Sequence, residues 1–267
     1  MNAVVLARGL GTRMREADPD ARLSDPQRRA ADAGLKPMIP INGHPFLDYL
    51  LSALADAGVA QVALVVAPDH EGVRRHYSTN PPARIALGFV VQPEPLGTAN
   101  AVLAAETWAA GDPFLAMNAD NLYPVTALAD LVSLGEPGLP AFEHDDLVRS
   151  GNIPAERVQA FAVIEVDAQG YLTRIVEKPA SLVLPPEGGS CLVSMNCWRF
   201  DSRIFGACRD VPRSARGEFE LPEAVGLAAR RGVRFKALRA RGAVLDLSRR
   251  ADTADVERRL AGVVPRP

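Results

Sequence analysis

The chain has 267 residues, with 30 Lys and Arg against 32 Asp and Glu, a formal net charge of −2; that length suits one large α/β domain or two small ones with ample core, and so even a balance gives no electrostatic pull toward nucleic acid or an anionic membrane. No apolar run approaches the ~20 residues of a bilayer span, and Arg8 arrives too early for the hydrophobic region of a signal peptide. Three cysteines (Cys191, Cys197, Cys208) without paired spacing point to a reducing, cytoplasmic setting and away from a disulfide framework or zinc knuckle.

Residues 3–6, 62–66, 85–91 and 114–117 are short apolar runs that predict buried strands, and residues 47–57, 69–77 and 98–110 between them predict helices. Leu47, Leu50, Leu51 and Leu54 fall at i, i+3, i+4 and i+7, with Gly58 where a C-cap belongs. Strand alternating with helix implies parallel pairing through right-handed crossovers, hence an α/β fold with a doubly wound, mostly parallel sheet. Residues 15–35 interrupt the first strand–helix connection with a polar, Ala-rich, charged stretch. A connection of that length is either a mobile lid carrying Arg22, Arg28 and Arg29 or a static surface excursion with a helix near 26–33. After residue 120 the pattern changes. Residues 161–166 and 171–176 flank Asp167-Ala168-Gln169-Gly170 as a hairpin, and residues 191–198 form a further strand. Residues 219–229 predict a helix, 233–238 and 243–247 strands, 249–260 a terminal helix, and 185–189 a Pro/Gly loop. A mixed second half built onto the first predicts a single domain.

Only three of the basic residues are lysines: Lys36, Lys178 and Lys236. Where any cation serves, this chain writes Arg, so a retained Lys marks a position that needs a compact ammonium. Two of the three repeat one dipeptide, Lys36-Pro37 and Lys178-Pro179.

The segment Leu6-Ala7-Arg8-Gly9-Leu10-Gly11-Thr12-Arg13-Met14 follows the first strand directly. A glycine-rich turn at the carboxyl end of a buried strand exposes main-chain N–H groups that can cradle phosphate. No Gly-Lys-Ser/Thr follows, which excludes a Walker A loop, and Met14 stands where a dinucleotide fingerprint needs its third Gly. Gly9-x-Gly11 alone is equally a structural turn; Arg13 beside it and Lys36 downstream are two cations able to converge on a polyphosphate.

Together with Gly43-His44-Pro45-Phe46, Gln92-Pro93-Glu94-Pro95-Leu96-Gly97-Thr98-Ala99-Asn100-Ala101, Glu177-Lys178-Pro179 and Gly217-Glu218-Phe219-Glu220-Leu221, these motifs occur in family order, and the chain resembles the sugar-1-phosphate nucleotidyltransferases, or nucleoside-diphosphate-sugar pyrophosphorylases, over nearly its whole length. The resemblance implies a Rossmann-like nucleotidyltransferase fold with a nucleotide-binding half (1–118), a mixed sugar-phosphate-binding half (119–248) and a C-terminal helix and tail (249–267). It implies transfer of a nucleotidyl group from an NTP to a sugar 1-phosphate, with Mg²⁺ as cofactor and pyrophosphate released. Arg13 would hold the departing pyrophosphate and Lys36 would neutralise the α- and β-phosphates, as the catalytic pair. Leu6, Ala7, Gly9, Gly11, Thr12, Gln92, Gly97 and Thr98 would bind the nucleotide, with Gln92 and Gly97 at the base edge. Asn118, Glu177, Lys178 and Asn196 would bind the sugar phosphate.

Asp120, after the strand at 114–117, and Asp246, in Val244-Leu245-Asp246-Leu247, resemble the family's two metal-binding carboxylates and would share Mg²⁺. Read from the residues alone, either Asp is also a helix N-cap candidate. The chain departs from the family at Arg8, where a small residue is common, and at Asn196-Cys197-Trp198, where many members have Asn-x-Gly. The bulk of Cys197 and Trp198 keeps open a cyclitol or polyol phosphate as substrate, and a catalytically silent nucleotide-sugar-binding regulator is the other alternative. None of the four histidines sits in a ligand-like cluster. NTP and sugar 1-phosphate are the expected partners, without nucleic acid or membrane; the sequence leaves homo-oligomer formation, the base and the sugar open.

Overall fold

The computed structural model describes residues 1–177 and 191–267; Lys178 and the expected loop at 185–189 lie outside them. In chain order the strands are β1 (Asn2–Leu6), β2 (Pro40–Ile41), β3 (His44–Pro45), β4 (Gln61–Val66), β5 (Ala86–Val91), β6 (Phe114–Asn118), β7 (Asn121–Leu122), β8 (Gly138–Glu143), β9 (Ala162–Val166), β10 (Leu172–Val176), β11 (Leu192–Ser194), β12 (Cys197–Phe200), β13 (Lys236–Ala240) and β14 (Leu245–Asp246). A continuous sheet runs β10-β9-β11-β8-β12-β6-β1-β4-β5, with β13 paired to β8. Its first half is parallel throughout: β1 lies between β4 and β6, and β4 pairs with β5. Antiparallel pairs enter where β12 joins β6 and continue through β11, β9 and β10.

The alternation hidden inside the apolar runs explains both faces. Ala3 and Val5 of β1, with Val62, Leu64 and Val66 of β4, point to a core covered by the helices Phe46–Asp56, Glu71–Thr79 and Val125–Ser133. Val4, Leu6, Ala63 and Val65 point to the other, covered by Thr98–Ala104, Arg203–Asp210 and Leu221–Arg230. Successive side chains of a strand face opposite ways, so a strand buried on both sides reads as a continuous apolar run.

Three expectations change. The strand expected over 191–198 is two, β11 and β12, with Asn196 between them at φ 54. Asn tolerates this left-handed conformation better than most residues, and the kink re-aims the strand from β9 to β6. The helix expected over 98–110 breaks at Ala105 into Thr98–Ala104 and Glu106–Ala109. Between residues 120 and 160, where the pattern yielded no element, lie β7, β8 and the helices Val125–Ser133, His144–Ser150 and Ala155–Val158. Strand β8 contains Pro140, a residue that argues against a central strand. It is tolerated because it falls between the two stretches of one ladder, Ala141↔Ser194 and Gly138↔Arg199.

Residues 15–35 are packed against the body of the protein, which favours the static excursion over the lid. They carry the helix Asp25–Asp32, whose start is fixed by the Ser24–Gln27 capping box. Met14, Leu23 and Ala31 are buried in a third core with Ile39, Ile41, Phe46, Leu247, Val256 and Leu260. Arg250 ties the segment down, donating to Met14 O and Arg15 O and pairing with Asp32 at 2.5 Å. Arg28 pairs with Asp25, and Arg22, Arg28 and Arg29 line no part of the cleft described below. Apolar burial against the last helix outweighs the polarity that made the segment read as mobile. Trypsin is therefore expected to cut between residues 15 and 29 at the same rate with and without NTP and Mg²⁺. Nucleotide-dependent protection would restore the lid.

Candidate active site

Parallel strands end level. Leu6 pairs with Val65 on one side and with Asn118 on the other, so the loops after β1, β4 and β6 leave the sheet together. The chain order reverses at β1, and such a switch point opens a crevice at the carboxyl ends of the strands. A cleft of about 380 Å³ lies there. The Leu6–Arg13 loop, Lys36, Gln92, Gly97 and Thr98 form one end, and Asn118, Asp120, Glu177, Asn196, Arg216 and Asp246 extend it. Every expected site residue among the described ones lines it.

Two close main-chain approaches build the cleft. Gly11 has φ 63, and a Cβ on it would stand 2.4 Å from Gly34 O; a Cβ on Gly34 would meet Leu10 O at 2.7 Å. The excursion from residue 15 to 35 thus returns onto the glycine loop and delivers Lys36 at its edge. Gly97 has φ 105, and its Cβ would stand 2.5 Å from Phe219 O. The Phe219 main chain, which bonds to Leu96 O and Ala99 N, by itself requires glycine there. Gly9 is different: a Cβ on it meets nothing within 4 Å.

Polar contacts set the remaining side chains. Gln92, 2% exposed, donates Nε2 to Gly97 O (3.1 Å) and Asn100 Oδ1 (2.8 Å), so as placed its amide hydrogens brace the loop. Thr98 Oγ1 accepts from Leu221 N. Arg8 reaches across to the carbonyls of Gln92 and Pro93 and links the loops after β1 and β5. Asn196 Nδ2 donates to Asn118 Oδ1 at 2.7 Å, and Trp198 Nε1 donates to Asn196 Oδ1 at 3.0 Å. Cys197 and Trp198 are buried, and Trp198 stacks on Phe200 (5.7 Å between centroids). Neither lines the cleft. The bulk expected to reshape the site is spent in the core, which removes the observation behind a cyclitol or polyol substrate.

Lys36 Nζ donates to Asp120 Oδ2 at 3.0 Å. Asp246 is 2% exposed and accepts from Asn121, Ser248 and Arg157. Burial, reinforced by the charge of Asp120, pushes its carboxyl up to about 6, against the pull of Arg157 and the Ser248 hydrogen bond. Neither Asp is an N-cap: the following helices start at Val125 and Asp252, capped by Pro124 and Ala251. The sequence missed Arg216 and Glu220, which line the cleft and pair with each other. Glu220 belongs to the Gly217–Leu221 motif, to which no role was attached, and Arg216 directly precedes it. It also missed Asn121, Ser248 and Arg157, which carry no motif.

Comparisons with known proteins place the chain in a family. Residues 29–251 match the nucleotidyl transferase family. The chain belongs to that family. It is 30% identical over 260 residues to the UTP–glucose-1-phosphate uridylyltransferase AglF of Haloferax volcanii, covering 97% of this chain and 96% of that protein. It is 28% identical over 266 residues to a glucose-1-phosphate thymidylyltransferase of Streptomyces antibioticus, covering 97% of this chain but 65% of that longer protein. Of the low-salt glycan biosynthesis nucleotidyltransferase Agl11 of Haloferax volcanii it spans 56%. In fold it is similar to a UDP-glucose pyrophosphorylase solved with UDP-glucose (TM-score 0.73, 18% identity, 97% and 98% of the two chains). It is also similar to HddC from Yersinia pseudotuberculosis (TM-score 0.68, 21% identity, 97% and 99%). Within this nucleotidyl transferase, no helix among the described residues is long and apolar enough to cross a membrane.

The glycine contacts separate structure from binding. Gly11→Ala and Gly97→Ala are each expected to destabilise the fold by about 1–3 kcal/mol, since each combines a left-handed or strained backbone with a blocked Cβ. Gly9→Ala should unfold at the wild-type denaturant midpoint yet bind NTP more weakly. Urea titration and nucleotide-binding calorimetry on the three variants check this.

Proposed function

We propose that the protein transfers a nucleotidyl group from an NTP to a sugar 1-phosphate, releasing pyrophosphate and forming an NDP-sugar. The observation that carries this reading is a single cleft that joins a glycine loop, a lysine paired with a carboxylate, and a polar end closed by Asn118 and Asn196. The names of its relatives put UTP or dTTP with glucose 1-phosphate first among the substrates to try.

The reaction brings two polyanions together, so the protein must screen charge, align attack in line and hold the leaving group. Main-chain N–H groups of the Gly9–Gly11 turn and the exposed Arg13 receive the β- and γ-phosphates, the guanidinium fork matching phosphate oxygens. Lys36 stands at the edge of the same loop; its ammonium leaves Asp120 for the α-phosphate as negative charge builds there. Gln92, braced against Gly97, borders the base end. Glu177 accepts from sugar hydroxyls, and the Asn118–Asn196 pair frames the sugar. Arg216 is a further cation at that end.

Asp120 and Asp246 fit Mg²⁺: they are two carboxylates from opposite halves of the chain, close enough that the charge of one raises the other's affinity for protons. An all-oxygen pair that leaves most positions to phosphate and water suits this ion. No group of three or more His, Cys, Asp or Glu side chains that could hold a metal occurs among the described residues; water completes the coordination in the free protein, and phosphate oxygens replace part of it when substrate binds. Bound Mg²⁺ would neutralise phosphate charge and orient the two reacting phosphates.

A pyrophosphate-release assay over a panel of NTPs and sugar 1-phosphates tests the reading; no release from any pair overturns it. Activity should disappear with EDTA and return with Mg²⁺, and Asp120→Asn should abolish it. Lys36→Arg should lower turnover at least tenfold, ~1.4 kcal/mol of transition-state stabilisation, because a planar fork cannot replace a compact ammonium 13% exposed beside Asp120. Near wild-type turnover in Lys36→Arg would dispose of that argument.

A further inference from the structure

Asp246 is gripped from every side by one short segment and its own neighbours. Asn152 donates Nδ2 to Asp246 O at 2.8 Å and accepts from Asp246 N at 2.7 Å, taking the place of a strand partner. Five residues on, Arg157 donates Nη2 to Asp246 Oδ2. Oδ1 of the same carboxylate accepts from Asn121 Nδ2 and Ser248 Oγ, each at 3.0 Å. The other arm of the guanidinium, Nη1, donates to Asp252 Oδ1 at 2.5 Å. Asp252 Oδ2 in turn accepts from Ser248 N (2.9 Å) and Arg249 N (2.7 Å). The three side chains are almost wholly buried: Arg157 is 12% exposed, Asp246 3% and Asp252 7%.

A carboxylate offers about four lone-pair directions. Three of those on Asp246 are taken by Asn121, Ser248 and Arg157, which leaves one, on Oδ2. Arg157 does not line the cleft, whereas Asp246 does, so the guanidinium stands behind the carboxylate and has no route to substrate. Because Asp252 anchors its second arm, it cannot follow Asp246 if that carboxylate turns. We propose that Arg157 is a positioning residue for the divalent cation, locking Asp246 so that its one remaining Oδ2 lone pair faces the ion. This rests on the reading of Asp246 as a cation ligand. The planar fork of Arg157 spans two carboxylates at once; a lysine ammonium carries the charge but does not hold two carboxylates in one plane. Partners that orient a metal ligand commonly set its affinity by ten- to a hundredfold, about the size expected here.

The test is Mn²⁺ alone, titrated into nucleotide-free protein and followed by the EPR signal of the free ion. Four proteins are compared: wild type, Asp246→Asn, Arg157→Lys and Arg157→Gln/Asp252→Asn. The double variant keeps the net charge of the buried cluster at its wild-type value, where Arg157→Gln alone would leave two unpaired carboxylates, and circular dichroism verifies that each is folded. The expected result is loss of the site in Asp246→Asn and at least tenfold weaker Mn²⁺ binding in both Arg157 proteins. If Asp246→Asn loses Mn²⁺ while a folded Arg157 variant binds it as tightly as wild type, or more tightly, the positioning role is wrong and the ligand reading survives. A wild type that binds no Mn²⁺, or binds it as Asp246→Asn does, removes Asp246 as a ligand and the inference with it.

Discussion

The carbonyl of Gly34 occupies the space where any side chain on Gly11 would stand, and the rest of the site depends on that contact. Residues 15–35 leave the glycine loop, bury Leu23 and Ala31 beside Met14 in a core shared with Ile39, Phe46 and Leu260, and come back to within touching distance of where they left. Only because the two backbones meet does Lys36 emerge beside the loop and opposite Asp120. The Gly97–Phe219 contact does the same for the other wall: it joins the loop after β5 to the segment leading into Leu221–Arg230, so elements far apart in the chain enclose one cleft.

Charge is arranged around that frame in one pair and one cluster of three. Lys36 offsets Asp120 at the cleft wall, and Arg157 offsets Asp246 and Asp252 behind it. A carboxylate taken out of water is costly unless it is paired and hydrogen-bonded, and Asp246 meets that condition with three side-chain donors. The two differ in placement. Lys36 lines the cleft and holds one carboxylate; Arg157 stands outside it and is held at both arms.

Trp198 shows how a residue type can mislead when its direction is unknown. In the sequence its bulk sits two residues from Asn196 and suggests a crowded sugar pocket. In the fold, Asn196 takes φ 54 and turns β12 so that the indole enters the core against Phe200 and Phe235 while its N–H steadies Asn196. Pro140 misled in the opposite direction, hiding a central strand because the gap it falls into, between the contacts of β8 with β11 and β12, exists only once all three are paired.

Local pattern specified the parallel strands that read as unbroken apolar runs, the helix at Phe46–Asp56 with leucines on one face, and the motifs around Gly9–Arg13, Lys36, Gln92–Gly97 and Asp120. Those features are legible because period, turn chemistry and short spacing are properties of neighbouring residues. Only the tertiary structure decided that residues 15–35 are packed down, that Gly97 answers to the Phe219 main chain, that Asp246 is no helix cap, and that Arg157, Asn152, Asn121 and Ser248 surround it. Each of those depends on groups distant along the chain competing for one buried space. A residue's type does not say which competitor it will meet there.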